Sequence, residues 1–268
     1  MKKALFTVTV VLLLIAFGVS AFMVVNYLVE GKQQEDRYNN LSDMVANAQA
    51  TAGATTKETE APEATTGATE TTAATEPTML AGYKELYEMN PHTVGWLKMV
   101  GTKIDYPVLQ TPDEPNYYLY RDFDGKDSKR GAIYAREECD INKPSDNITL
   151  YGHNMADGSM FASLNAYTSK KAWENNSLIC FDTLYEYHTY KIFAVFKTSA
   201  NLGEGFSYHQ FEDASNEEEF NEFVSTCKQL AFYDTGITPK YGDKLICLST
   251  CEYTLDNGRL VVAAVRIT

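Results

Sequence analysis

Basic residues and histidines are scarce in this sequence of 268 residues. Lys and Arg number 23 against 36 Asp and Glu, and the formal net charge is −13. Because a protein must present a basic surface to bind nucleic acid phosphates, this balance excludes a DNA- or RNA-binding role. The four histidines and five cysteines form no CxxC or HxxxH pair with zinc-like spacing. The sequence therefore predicts neither a metal site nor a cofactor.

Charged residues are absent from residues 4–25 (ALFTVTVVLLLIAFGVSAFMVV). As a helix this segment would span about 33 Å, enough to cross a hydrocarbon core of roughly 30 Å. A signal peptide shares the basic start at Lys2 and Lys3, and Val19-Ser20-Ala21 could serve as its cleavage site, but its apolar run is shorter, roughly 7 to 15 residues. We expect residues 1–29 to form an uncleaved single-pass anchor in the cell membrane, with a cytoplasmic N-terminus and everything after residue 30 outside.

Aromatic residues, Ile, Leu, Val and Met are absent from residues 51–78, which hold eleven Thr, seven Ala and five Glu. Such a segment cannot bury enough apolar surface to offset the entropy lost on ordering, so we expect it to be disordered. Residues 30–50 before it are polar, with scattered apolar positions that allow a short helix. We interpret residues 30–78 as an extracellular Thr/Ala/Glu-rich stalk and residues 79–268 as the only folded domain.

The folded domain shows mainly strand patterns. Apolar residues at helical spacing precede Asn90-Pro91, and further helices are expected at 159–167 and 215–230, the second with Ser215 as its N-cap. Runs of β-branched and aromatic residues lie at 95–100, 104–110, 131–135, 147–151, 190–197, 244–249 and 259–267. Seven or eight short strands without regular intervening helices predict a mainly β domain, either an antiparallel barrel or a sandwich.

The cysteines are odd in number, so at least one thiol stays unpaired within the chain. Cys251 ends the apolar run KLICLSTC and precedes a polar turn, where a nucleophile is held rigidly yet stays accessible. Arg259 begins the next strand across that turn, and its charge there would favour the thiolate and stabilise an oxyanion. The alternatives are a buried packing cysteine and an arginine that is either solvated or in a salt bridge with Glu252 or Asp256.

His153 closes the strand NITLYGHN and is therefore presented at a strand end, as Cys251 is. His92, His188 and His209 lie in a loop or among tyrosines in polar stretches. A nucleophilic cysteine and a histidine brought together by the fold are the minimal pair for acyl transfer. The order, histidine before cysteine, is opposite to that of papain-like enzymes.

The stretches TLYGHN, LSTC and GRLVVAAVRI, in this order and spacing, resemble those of the sortases, and of class B in particular. IDYPVLQ, GAIY and the helix near 215–230, which is similar to the extra helix of class B, extend the resemblance over the folded domain. Sortases are membrane-anchored cysteine transpeptidases of Gram-positive bacteria. The resemblance implies an eight-stranded sortase-type β-barrel with an N-terminal helix and a helix between two late strands.

The resemblance also implies an activity. Cys251 would attack the Thr carbonyl of a C-terminal sorting signal in a secreted protein and form a thioacyl enzyme. His153 would transfer protons, Arg259 would hold the substrate and its oxyanion, and an amine of the peptidoglycan cross-bridge or lipid II would accept the protein. Two alternatives are a pilin lysine as the acceptor and an inactive membrane-tethered binding module.

Four further residues match positions that line the class B substrate groove: Tyr151, Ser249, Glu252 and, along its wall, Leu119. Strand packing or surface exposure is the alternative for each. One position departs from the family pattern, because Cys247 stands where the usual TLxTC motif begins with Thr. We expect Cys247 to be buried and remote from the reactive thiol.

Overall fold

A computed structural model describes residues 2–55, 77–201 and 203–268, so most of the segment expected to be disordered lies outside the described residues. The helices are α1 (Lys2–Thr55), α2 (Tyr83–Met89), α3 (Lys170–Asn175) and α4 (Glu217–Leu230). The strands are β1 (Thr93–Lys98), β2 (Asp105–Leu109), β3 (Ile133–Ala135), β4 (Asn147–Tyr151), β5 (Leu178–Thr183), β6 (Thr189–Ser199), β7 (Leu245–Glu252) and β8 (Gly258–Arg266). The chain divides into two compact units, residues 1–41 and 42–268.

The first unit consists of the N-terminal part of α1. Within the described residues, one helical segment, Leu5–Thr51, is long and apolar enough to cross a membrane, and none of its most apolar stretch is buried. A signal sequence near the N-terminus would have the same properties. The helix expected within residues 30–50 is present as a continuation of the apolar segment.

The second unit begins at Ser42 and therefore includes the end of α1, which the sequence analysis assigned to the stalk. The Ser42 hydroxyl donates a hydrogen bond to Oδ2 of Asp105 at 3.0 Å. The buried Val45 lies beside Gly82, where a Cβ atom would be only 2.9 Å from the Val45 Cα. A glycine at 82 thus lets the end of α1 approach the chain just before α2.

The eight strands form a closed barrel in the order β1-β2-β3-β4-β7-β8-β6-β5. The barrel was predicted, but the purely antiparallel arrangement is wrong, because β2 pairs with β3 and β4 pairs with β7 in parallel. Parallel neighbours need long crossover connections. The connection from β2 to β3 contains a 3₁₀ helix (Tyr117–Tyr120), and the one from β4 to β7 contains β5, β6 and α4.

The local predictions differ from the structure at three places. Strand β5 was not among the predicted runs, although its burial alternates with the period of two that is typical of strands. The segment expected to be a helix at 159–167 is a 3₁₀ helix, Ala162–Thr168. The N-cap of α4 is Asn216, whose side chain accepts from the Glu219 amide, whereas Ser215 donates its own amide to the Glu219 carboxylate.

Helix α4 packs onto the barrel beside β6 and places a cysteine-containing apolar cluster between them. Phe220, Phe223 and Cys227 from the helix belong to the same buried cluster as Cys247 of β7. Cys247 has no exposed surface, as the sequence analysis expected. Its side chain therefore contributes to packing in the interior.

We predict that Cys247→Ala lowers the free energy of unfolding by about 1–2 kcal/mol, because the lost sulfur leaves a small cavity in a close-packed core. Urea unfolding followed by circular dichroism measures the change. The half-buried Cys180 offers a control, and Cys180→Ala should cost less than about 0.5 kcal/mol. Equal stability of both variants would contradict the packing role of Cys247.

Candidate active site

Strands β4 and β7 end, and β8 begins, at the same side of the barrel. These strand ends carry the residues selected from the sequence except Leu119, which lies in the 3₁₀ helix between β2 and β3. Strand β7 pairs with β8 so that Cys251 lies directly opposite Arg259. On its other side β7 pairs with β4, where Tyr151 lies opposite Ser249. His153 follows β4 by two residues. Strand pairing thus brings together residues that are about a hundred positions apart in the chain.

A cavity of about 280 Å³ lies at these strand ends. Cys251, His153 and Arg259 all line it, as do three of the four residues expected to bind substrate, Tyr151, Ser249 and Leu119. The remaining lining residues are Asn116, Tyr134, Gly152, Ala200, Tyr208, His209, Thr250 and Asn257. The structure therefore collects six of the seven selected residues around one opening.

Cys251 differs from the other cysteines in its environment. All five thiols are free, and Cys251 is half-buried at the cavity, whereas Cys139, Cys227 and Cys247 are buried. Burial raises the pKa of the Cys139 thiol to about 11 and the pKa values of Cys227 and Cys247 well above their ordinary value. Those three thiols stay protonated at neutral pH and out of reach. Cys180 is half-buried on β5 but does not line this cavity, so Cys251 is the cysteine placed there to act as a nucleophile.

The His153 ring is fixed by its neighbours in the cavity wall. Its Nε2 atom lies 2.7 Å from the carbonyl oxygen of Leu119, and the Tyr120 ring lies 5.6 Å away between centroids. Because a carbonyl oxygen only accepts hydrogen bonds, Nε2 carries a proton in this arrangement, and Nδ1 is the nitrogen that can gain or lose one. Leu119 thus acts on His153 through its main chain.

Gly152 lets the chain between β4 and His153 lie directly against packed side chains of the barrel. A Cβ atom at this position would lie 2.5 Å from Cδ1 of Ile133 and 2.8 Å from Cγ of Phe161. Both contacts are closer than real Cβ atoms approach other atoms, so any side chain here would displace the strand end. The glycine keeps His153 close to the packed wall of the barrel.

Arg259 is anchored by the end of the hairpin that joins β7 and β8. Its Nη1 atom donates to the carbonyl oxygens of Asn257 and Gly258 and to Oδ1 of Asn257, at 3.0 to 3.1 Å. Asn257 adopts a left-handed conformation with φ of 45°, which asparagine tolerates better than most residues. The guanidinium therefore stays beside the cavity and supplies a fixed positive charge there.

Glu252 does not line the cavity, although the sequence analysis selected it for the substrate groove. Its buried carboxylate accepts a hydrogen bond from Nζ of Lys197 at 2.6 Å and from the amides of Thr254 and Leu255. Burial by itself would raise the pKa of Glu252, but the bonds from Lys197 and Thr254 outweigh it and lower that pKa to about 2. Glu252 therefore holds the β7–β8 hairpin in shape.

Tyr208 and His209 were not selected from the sequence, yet both line the cavity from the long connection between β6 and β7. The Tyr208 hydroxyl is 2.5 Å from Oγ of Ser249, and burial raises the pKa of Tyr208 to about 12. Burial and the charges of Arg136 and Arg259 lower the pKa of His209, which favours its neutral ring. No local pattern ties this connection to the strand ends, and only the fold brings it there.

Metal binding finds no support in the same region. Within residues 2–55, 77–201 and 203–268, no group of three or more His, Cys, Asp and Glu side chains is arranged to hold a metal ion. The cavity combines a half-buried thiol, an oriented imidazole and a fixed guanidinium between neutral phenols. These groups can carry out nucleophilic attack on a carbonyl carbon, proton transfer and stabilisation of an oxyanion.

Comparison with known proteins agrees with this chemistry. The family model of the sortase domain matches residues 97–267. Sortase B of Listeria monocytogenes is 30% identical over 188 residues, which cover 69% of this chain and 74% of that protein. A Bacillus anthracis protein described as similar to sortase B has a crystal structure that is 32% identical, with a TM-score of 0.64 over 72% of this chain and 86% of its own. Staphylococcus aureus sortase B in a substrate complex is 25% identical, with a TM-score of 0.72 over 90% of this chain and 99% of its own.

The chain therefore belongs to the sortase family. Its relatives in sequence and in structure are sortases B, so its function is that of a class B sortase, a cysteine transpeptidase of cell wall anchoring. Members of this family act on substrates that carry a sorting signal and on amine acceptors. The eight-stranded barrel expected from the resemblance is confirmed.

The bonds of Glu252 lead to a prediction about stability and pH. Glu252→Gln should lower the free energy of unfolding at pH 7 by about 1–3 kcal/mol, because it removes the charge that Lys197 pairs with in a buried setting. The pKa of Glu252 is depressed in the folded protein. The wild type should therefore be more stable than Glu252→Gln by the full amount above the ordinary pKa of 4.5, and this difference in the free energy of unfolding should be lost as pH falls toward about 2.

Urea unfolding of both proteins between pH 2 and pH 7 measures this advantage. Glu88 pairs with Lys84 on the exposed surface, and Glu88→Gln is the matched control, with a change below about 0.5 kcal/mol at every pH. An advantage of the wild type over Glu252→Gln that stayed constant down to pH 2 would show that the carboxylate charge does not stabilise the hairpin.

Proposed function

We propose that this class B sortase cleaves the sorting signal of secreted proteins after a Thr residue and transfers the protein to an amine of a peptidoglycan precursor. The acceptor would be the cross-bridge amine of peptidoglycan or lipid II. The observation that carries the proposal is the pairing of β7 and β8, which sets Cys251 opposite Arg259 in the cavity that His153 also lines. We assign the catalytic roles to these three residues.

In the first step the Cys251 thiolate bonds to the carbonyl carbon of the signal's Thr, and the carbonyl electron pair moves onto the oxygen. Arg259 donates hydrogen bonds to this oxyanion. The bond between the carbonyl carbon and the leaving nitrogen then breaks, and the nitrogen keeps the electron pair and takes a proton from the His153 imidazolium. The product is a thioester between Cys251 and the protein.

In the second step the acceptor amine bonds to the thioester carbon and gives a proton to His153. The bond to sulfur breaks, and Cys251 leaves as a thiolate. The acyl group is thereby transferred to nitrogen, and both catalytic groups return to their starting charge. The hydrogen bond from Nε2 to the Leu119 carbonyl supports Nδ1 as the nitrogen that exchanges protons in both steps.

For substrate binding we assign Tyr151, Ser249 and Leu119 to the groove, as the resemblance implies. Their position on the cavity wall supports this assignment. Ser249 is buried and bonded to Tyr208, which suits a role in shaping the wall more than one in direct contact. Glu252 would contribute indirectly, by keeping the hairpin between Cys251 and Arg259 in place.

We further propose that residues 4–25 anchor the enzyme in the cell membrane, with the N-terminus in the cytoplasm and the barrel outside. The uncharged helix and the preceding Lys2 and Lys3 support this orientation. Residues 30–78 would act as the stalk and residues 79–268 as the catalytic domain. The contact of Ser42 with Asp105 supports an earlier beginning of that domain, at the end of α1.

The catalytic roles are tested with the full-length protein in detergent and a library of sorting-signal peptides with a fixed Thr. The wild type should form a thioacyl adduct detectable by mass spectrometry and transfer the peptide to an added amine. Cys251→Ala should abolish both, and His153→Ala should slow transfer by about 10²–10⁴-fold. Cys247→Ala and Cys180→Ala are the thiol controls and should retain most of the activity.

A wild-type enzyme that forms no adduct with any peptide of the library would overturn the proposal, and a complete loss in a correctly folded Cys247→Ala would overturn its role in packing. The acceptor is identified in the same assay. Lipid II with a free cross-bridge amine should accept the acyl group. Preferred transfer to the lysine of a pilin subunit would instead identify the enzyme as a pilin-polymerising sortase.

Retention of the anchor is a separate prediction. The protein purified from membranes should keep its N-terminal segment, because the apolar run is too long for a signal peptide. Intact mass measurement and N-terminal sequencing check this. A mature N-terminus at Phe22, directly after Ala21, would show cleavage and contradict the anchor.

A further inference from the structure

The loop that carries His153 and the strand end that carries Cys251 are joined by two reciprocal hydrogen bonds. Nδ2 of Asn154 donates to the carbonyl oxygen of Cys251 at 2.9 Å. The hydroxyl of Tyr253 donates to the carbonyl oxygen of Asn154 at 3.2 Å. One side chain of each segment thus donates a hydrogen bond to the main chain of the other, directly beside the two reacting residues.

These bonds begin where backbone pairing ends. The parallel ladder between β4 and β7 runs as far as Tyr151 and Ser249, and the Gly152 amide still donates to the Ser249 carbonyl at 3.2 Å. Beyond this point the segments that follow β4 and Ser249 of β7 separate around the cavity. The bonds of Asn154 and Tyr253 extend the connection past the ladder, to the positions of His153 and Cys251.

The Asn154 side chain is held at both of its ends. While Nδ2 bonds to Cys251, Oδ1 accepts a hydrogen bond from Nδ2 of Asn165 at 2.9 Å. Asn165 is itself bonded to the carbonyl oxygen of Ala162 at 2.9 Å. With a donor required at one end and an acceptor at the other, the amide has a single orientation.

The loop behind His153 is closed on itself as well. The Phe161 amide donates to the His153 carbonyl at 2.9 Å, and Asn154 forms an antiparallel bridge with Met160. A movement of Asn154 relative to Cys251 therefore carries the whole turn, and with it the His153 ring. Asn154 therefore links the turn that follows His153 to the main chain of Cys251.

We propose that Asn154 and Tyr253 are positioning residues that set the separation and orientation of the His153 imidazole relative to the Cys251 thiol. The inference rests on the proposed function, in which Cys251 bonds to the acyl carbon and His153 gives and takes a proton. Asn154 and Tyr253 act on the main chain of the catalytic segments and not on the reacting atoms. A misplacement of about 1 Å between reacting groups can slow an enzyme by roughly a hundredfold, so such a link affects the rate more than binding.

The test uses the full-length enzyme with the peptide that the wild type cleaves best. Asn154→Ala should lower kcat about tenfold and Tyr253→Phe about threefold, with KM changed by less than about twofold. The effects of the two substitutions should be less than multiplicative in the double variant, because both break one connection. The curve of Cys251 alkylation rate by iodoacetamide against pH should be shifted along the pH axis in Asn154→Ala relative to the wild type.

Two further variants separate positioning from general stability. Asn154→Asp keeps the acceptor for Asn165 but turns an acceptor toward the Cys251 carbonyl, so it should lower kcat at least as much as Asn154→Ala. Asn176 makes a comparable bond to the Val100 carbonyl at 2.7 Å on another part of the barrel. Asn176→Ala should leave kcat and the alkylation profile unchanged while it lowers Tm by about as much as Asn154→Ala.

Wild-type kcat and an unchanged alkylation profile in Asn154→Ala would overturn the inference, and so would an equal loss of kcat in Asn176→Ala. Failure of the proposed function gives a different result, because then the wild type itself forms no thioacyl adduct. The alkylation profile needs no substrate and reports on the Cys–His geometry in either case.

Discussion

The pairing of β7 with a strand on each side is the constraint on which the rest of the site depends. Its antiparallel partner β8 supplies Arg259 opposite Cys251, and its parallel partner β4 leads into His153. Since the register of a strand decides which residues face each other, a slip of one residue would turn Cys251 away from the cavity and separate it from Arg259. The close-packed interior, including the buried Cys247 against α4, makes such a slip costly. Packing far from the thiol therefore maintains the chemistry at the strand ends.

The sequence allowed the barrel strands and the reacting residues to be predicted because both have local signals. Strands β4, β7 and β8 are continuous β-branched and apolar runs, and Cys251 and His153 stand where such runs end. The parallel pairings were not predictable in this way, since nothing local in β2 or β4 distinguishes a parallel from an antiparallel neighbour. Tyr208 and His209 were missed for a related reason. They lie in a connection whose place in the fold is set by α4 and by the Tyr208–Ser249 contact.

Glu252 illustrates the limit of assigning a role from position along the chain. It directly follows Cys251, and alternation along a strand points the two side chains to opposite faces. The carboxylate accordingly bonds to Lys197 and to the hairpin amides on the side away from the cavity. Asn154 is the converse case, because it sits in a loop without a recognisable pattern yet contacts the main chain of Cys251. Adjacency in sequence and adjacency in the site are thus different properties, and the strand geometry relates them.

The distribution of the five thiols bears on how the enzyme responds to oxidation. Cys251 aligns through Arg259 with Thr198 of β6, whereas the half-buried Cys180 of β5 aligns with Thr189. These two positions are about 30 Å apart along β6, so the two thiols are beyond the reach of a disulfide. The other three cysteines are enclosed in the interior. The described part of the chain thus offers Cys251 no resolving cysteine, and a sulfenic acid formed on it would persist until a reductant from outside the protein restored the thiol.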